Sequence, residues 1–190
     1  MPIVPDAKDW TWVLEKPCPE CGFDGPATAY EAVPGLVRDA AGRFGAVLER
    51  ADATVRPDDS TWSALEYAAH VRDVCRVFVH RLDVTLGGPG TPPEVAGFEG
   101  KVGFADGLPV FENWDQDVTA VAGRYGEQDP ATVAAELAVA AETVSGAFES
   151  VPVAERGRAA RRSNGSLFTV DSMATYFVHD LIHHLHDVHA

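Results

Sequence analysis

Four stretches of this chain repeat apolar side chains at helical spacing, and each carries a start signal. The first runs from about Tyr30 to Arg50, with Leu36, Val37, Ala40, Phe44, Val47 and Leu48 on one stripe and Pro34 in its first turn, where a missing N–H costs nothing. The second opens at Ser63, with Glu66 three residues on in a capping-box arrangement, and reaches about Leu86, where a Gly-Gly-Pro-Gly run stops it. The third opens with Asp129-Pro130 and runs to about Ser150; Thr169 caps the last, which continues to about His189. A shorter helix is expected from Asn113 to Tyr125. Residues Gly87 to Pro109 are rich in Gly and Pro and read as a long crossover loop, and Val151 to Phe168 as a polar connection. The expectation is an all-α four-helix bundle over 30–190, with a long crossover loop and an irregular N-terminal arm over 1–29.

Charge narrows the partners. With 29 acidic against 15 basic residues, the formal charge is -14. A surface that negative repels phosphate backbones and anionic bilayers, so neither nucleic acid nor a membrane is an expected partner. No uninterrupted apolar run of about 18 residues suggests a spanning helix. Asp6, Lys8 and Asp9 leave no apolar leader within Met1–Trp10, so the cytoplasm is the expected compartment. Arginine outnumbers lysine 12 to 3 and Ala, Gly and Val abound, the usage of a GC-rich genome.

Five of the seven histidines fall within His179–His189, on the last helix. At about 100° per residue, His183 lies about 40° from His179 and His186 about 20° to its other side, while His184 points about 140° away. Ala174, Leu181, Leu185 and Val188 mark the opposite, core-facing side. Two imidazoles at i and i+4 converge on one metal ion, and a third ligand must come from another element. His70, midway along the second helix, is the natural candidate; His80 faces elsewhere, toward the surface. A C-terminal histidine run also suits a helix dipole or a solvated face.

The stretch Trp62-Ser63-Ala64-Leu65-Glu66-Tyr67-Ala68-Ala69-His70, followed roughly 110 residues later by His179-Asp180-Leu181-Ile182-His183, resembles the second- and fourth-helix signatures of the DinB-like superfamily, the bacillithiol- and mycothiol-dependent transferase and maleylpyruvate isomerase-like group. The resemblance spans about Tyr30 to the end. It implies a four-helix bundle holding a divalent transition metal, Zn or Ni, on His70, His179 and His183. It also implies an enzyme that activates a small-molecule thiol, mycothiol if the source is actinobacterial, and transfers it to an electrophilic substrate or uses it to isomerise one. The arm with Cys18 and Cys21 is no part of that pattern.

Around such a site, Glu66 either orients the second ring nitrogen of His70 or serves the helix cap. Arg161 and Arg162 either clamp an anionic substrate or thiol, or pair on the surface. Trp114 and Tyr125 are pocket or core aromatics, and Asp180 and Asp187 read as solvated. Cys18-x-x-Cys21 is half of a structural metal site, a redox pair, or two plain thiols; Cys75 reads as a buried small hydrophobe. Two other functions fit the same ligands: hydrolysis by a metal-activated water, and metal binding without catalysis, with His186 or a carboxylate closing the coordination sphere. Bundles of this type often pair into homodimers.

Overall fold

In the computed structural model, residues 8–190 are described; Met1 to Ala7, which begin the arm and the stretch without an apolar leader, lie outside the described residues. Among the described residues, five α-helices follow the arm: α1 (Val33–Leu48), α2 (Ala64–Thr85), α3 (Gln116–Ala122), α4 (Pro130–Glu149) and α5 (Val170–Asp187). Their starts obey the capping signals. Ser63 and Glu66 make a reciprocal box at α2, Thr169 pairs with Ser172 at α5, Asp129 accepts from the Thr132 N–H at α4, and Asp115 caps α3. Ser63 is buried, so Ser63→Ala is expected to cost about 1 kcal/mol, read as a lower urea midpoint at unchanged slope.

Helices α1 and α2 each pack mainly along α4 and α5, so the two consecutive helices sit across a diagonal of the bundle. Phe78 of α2 meets Phe177 of α5 at 4.8 Å between ring centroids, and Phe177 meets Phe148 of α4 at 5.7 Å. Phe44, Leu137, Met173 and Leu181 fill the same core, each contributing about 1.5–3 kcal/mol by burial. By length and composition α4 is apolar enough to cross a membrane. Here its Val133, Leu137, Ala141, Val144 and Phe148 stripe is core, and its Glu142 and Glu149 hold Arg38 of α1 at 2.7 and 2.6 Å.

The chain is not all-α, as the helical patterns led us to expect. Among the described residues, four short strands form a mixed sheet in the order β1 (Val102–Ala105), β2 (Leu108–Phe111), β3 (Ala159–Arg162), β4 (Leu167–Thr169). The β1–β2 and β3–β4 pairs are antiparallel hairpins; β2 and β3 run parallel, joined by the crossover through α3 and α4. The first hairpin turns on Asp106-Gly107, both at positive φ (52° and 78°), the conformation that matches strand twist. The second turns through Asn164-Gly165, with Gly165 at φ 105° and its N–H donating to the Arg162 carbonyl at 2.8 Å. The sheet lies on the C-terminal half of α2: Phe111 and Phe168 are buried beside each other, and the Arg81 guanidinium sits over the Phe78 and Phe111 rings.

Two further placements follow from the connections. The loop between α2 and β1 folds over His80, which is buried rather than superficial, its Nδ1 3.1 Å from the Thr91 carbonyl oxygen. The arm makes a 3-10 turn over Trp10–Leu14 and buries Val13, Cys18 and Phe23 on the body of the protein. A buried polar knot ties α2 to the crossover. Asp73 accepts from Arg72 (2.9 Å), Arg76 (2.9 Å) and the Tyr125 hydroxyl (2.8 Å), and Arg72 reaches on to Glu136 of α4.

Candidate metal centres

Helix α5 carries two i,i+4 pairs one residue out of step, His179/His183 and Asp180/His184. A step of about 100° turns them toward different neighbours. Asp180 and His184 face α2 and meet His70; His179 and His183 face the arm and meet Cys18 and Cys21. In each group the ligand-capable atoms lie within 4.8 Å of one another. The three histidines expected to act together are therefore divided, His70 in one group and His179 and His183 in the other.

In the first group, Asp180 Oδ1 is 3.1 Å from His184 Nε2 and 3.6 Å from His70 Nε2. His70 is fully buried and, among the described residues, neither ring nitrogen has a hydrogen-bond partner. Its ring stacks on Trp114 at 5.2 Å, the two planes nearly parallel, and lies 5.4 Å from Trp62. Burial pushes the His70 pKa down, which favours the neutral imidazole that a metal takes. Asp187 Oδ2 sits 2.8 Å from His184 Nδ1, so the Nε2 edge is the one presented to Asp180 and His70. Burial opposes charge on both His184 and Asp180, yet their mutual hydrogen bond holds Asp180 far below the carboxylate range. With Asp187 added, the His184 pKa rises to about 9. Two imidazoles and a carboxylate, with the His70 nitrogens unpartnered among the described residues, fit a divalent transition metal that displaces the proton His184 otherwise holds between Asp180 and Asp187. Asp187→Asn is expected to weaken metal binding here 10–100-fold, measured by competition against a chromophoric chelator.

In the second group, Cys18 Sγ is 3.8 Å from His183 Nδ1. His179 Nε2 is buried with no hydrogen-bond partner among the described residues, and burial followed by the neighbouring His183 lowers the His179 pKa to about 4. Burial raises the Cys21 thiol to about 11, against the hydrogen bond its sulfur receives from the Phe23 N–H. Trp10 covers both imidazoles, with centroids 5.4 Å from His179 and 4.8 Å from His183.

A cavity of about 510 Å³ opens beside these groups, walled by Trp10, Trp62, Trp114, Tyr176 and Arg162 among others. Arg162 reaches it because alternation along β3 sends neighbouring side chains to opposite faces; Arg161 points away, its guanidinium 3.1 Å from the Gly165 carbonyl oxygen. Arg162 is held by Asn164 (2.9 Å) and Ser166 (3.0 Å), with the Tyr176 hydroxyl at 3.4 Å. Glu66 does not touch the unpartnered nitrogens of His70: its carboxylate takes the Ser63 N–H and hydroxyl and pairs with Arg56. Asp180 and Asp187 are not solvated bystanders but contacts of His184. Their signal was present in the sequence, since Asp180 and His184 share the i,i+4 spacing of His179 and His183. His186 is exposed and belongs to neither group.

Fold and site together define a helical bundle with an interior cluster of histidines and carboxylate suited to a divalent metal. The chain belongs to the DinB superfamily, whose family model matches residues 36–188. Among solved structures it is similar to YfiT from Bacillus subtilis, described as a probable metal-dependent hydrolase with an unusual four-helix bundle topology. The TM-score is 0.63 at 12% identity, over 83% of this chain and 82% of that one. No curated protein matches significantly in sequence.

Proposed function

We propose that this chain is a metal-dependent hydrolase whose metal is held by His70, Asp180 and His184. The observation that carries this reading is the convergence of His70, Asp180 and His184 within 4.8 Å of one another at the edge of a polar cavity that Asp180 and His184 line, with Asp187 fixing the edge His184 presents. Two histidines with a carboxylate is the ligand set of several zinc hydrolases, which keep one coordination position open. A divalent metal bound there supplies Lewis acidity and an activated water near neutral pH. The anionic ligand offsets part of the metal's charge, so the site favours a bound thiolate less strongly than three neutral imidazoles would. The protein's own groups supply the rest. Arg162, braced by Asn164 and Ser166, offers a guanidinium to an anionic part of the substrate, and Trp62 and Trp114 wall the pocket against bulk water.

A second reading is S-transfer from a mycothiol-type thiol to an electrophile. It is favoured by the cavity's volume of about 510 Å³, which gives two small reactants room side by side, and by the cationic Arg162 in its wall.

Purified protein loaded with zinc or nickel should be assayed on a panel of activated esters and amides, and on electrophiles with and without thiol. Thiol-independent, metal-dependent hydrolysis is the expected result. Turnover that strictly requires thiol would replace it with the transferase reading. A metal-saturated protein inert in every assay would favour a binding module without catalysis.

A further inference from the structure

We propose that Cys18, Cys21, His179 and His183 form a second metal site, a closed tetrahedral thiolate–imidazole site of zinc type that clasps the N-terminal arm onto α5. It uses none of the ligands of the hydrolytic reading and stands without it.

The geometry is that of a knuckle closing on a helix. Gly22 follows the second cysteine at φ 76°, a conformation glycine adopts without strain, and its N–H donates to the Cys18 carbonyl at 2.9 Å. The Cys18 N–H donates to the Phe23 carbonyl at 2.8 Å, so the Cys-Pro-Glu-Cys-Gly loop is tied off on both sides. Opposite, consecutive turns of α5 bring two imidazoles side by side. Zinc bonds of ~2.0–2.1 Å to nitrogen and ~2.3 Å to sulfur place tetrahedral ligand atoms roughly 3.3–3.8 Å apart. The four atoms here lie within 4.8 Å of one another, with Cys18 Sγ to His183 Nδ1 at 3.8 Å. His183 Nε2 is taken up by Glu20 at 3.5 Å and Asp187 at 3.9 Å, which leaves Nδ1 for the centre. His179 contributes a buried Nε2 with no hydrogen-bond partner among the described residues.

Charge supports the same assignment. On binding, each thiol releases its proton to solvent, and two thiolates with a divalent cation and two neutral imidazoles make an uncharged unit. Such a unit can be buried under Trp10 at little electrostatic cost, whereas isolated thiolates cannot. Four protein ligands leave no open position, so the role is structural. The arm it holds contributes Lys8, Trp10 and Glu20 to the cavity wall, so the clasp shapes the pocket served by the other group.

The test is titration of reduced, metal-free full-length protein with Co²⁺. We expect a near-ultraviolet sulfur-to-cobalt charge-transfer band that saturates at one cobalt per chain, is displaced by zinc and persists in His70→Ala. The band should vanish in Cys18→Ser/Cys21→Ser and weaken but remain in Cys21→His, which keeps four ligands if the serine pair fails to fold. Limited proteolysis within the arm should slow at least tenfold when zinc is added to wild type. Absence of the band in reduced wild type, or its survival in the double serine variant, would overturn the proposal. So would a Cys18–Cys21 pair that cycles between disulfide and dithiol without taking up metal. Loss of the pocket metal in His70→Ala with the thiolate band intact separates this site from the hydrolytic one.

Discussion

His70→Ala protein is expected to lose the pocket metal and its metal-dependent turnover together, while retaining the helical signature of the bundle. His70 is fully buried, and among the described residues neither of its ring nitrogens has a partner within hydrogen-bond distance, Asp180 Oδ1 lying 3.6 Å from Nε2, so its removal breaks no hydrogen bond there. What it removes is the only ligand that α2 contributes to that group. Asp180 and His184, both on α5, would remain as an i,i+4 pair, too few to hold a metal against a competing chelator. The loss should exceed the 10–100-fold expected when only the supporting carboxylate Asp187 is altered. Metal content after dialysis against a chelator-buffered solution, with circular dichroism as the control for folding, checks it. A metal content equal to that of wild type, beyond what the Cys18, Cys21, His179 and His183 group takes up, would place the pocket metal on ligands other than His70.

The second large effect concerns stability. Asp73→Ala is expected to destabilise the fold by roughly 3 kcal/mol, lowering the urea midpoint by more than about 1 M. Asp73 is buried and takes hydrogen bonds from two arginines and the Tyr125 hydroxyl. Its removal leaves the buried Arg72 with Glu136 and Gln128 alone, and leaves the Tyr125 hydroxyl without its acceptor. Asp73→Asn keeps an acceptor for Tyr125 but removes the charge, so its cost should fall between wild type and the alanine variant. A loss below about 1 kcal/mol for Asp73→Ala would show that the knot is not what tethers α2 to the crossover.

The long helices were legible because their signals are local. Ser63 with Glu66, Asp129 with Pro130, and Thr169 each cap the helix they announce, and the apolar stripes of α1, α2, α4 and α5 are core. The strands were missed because each has only three or four residues, and β1 is exposed along its whole length, so no alternation of burial marks it. Yet both hairpins carried turn dipeptides, Asp106-Gly107 and Asn164-Gly165, set within a Gly- and Pro-rich stretch and an arginine-rich one that masked them. Without a strand there, Arg161 and Arg162 read alike: only on a strand do consecutive residues face opposite ways.

At the site, the sequence by itself determined the ligand types and the helices that carry them: His70 on the second long helix, a histidine-rich last helix, and a Cys-x-x-Cys arm. Tertiary structure alone decided how they combine. Two i,i+4 pairs overlap on α5, and spacing treats them alike. Which pair meets α2 and which meets the arm depends on the rotation of α5 about its axis, set by Phe177, Leu181 and Leu185 packing into the core. That packing turns Asp180 and His184 toward His70. It leaves His179 and His183 to the cysteines, because one residue along a helix is about 100° around it.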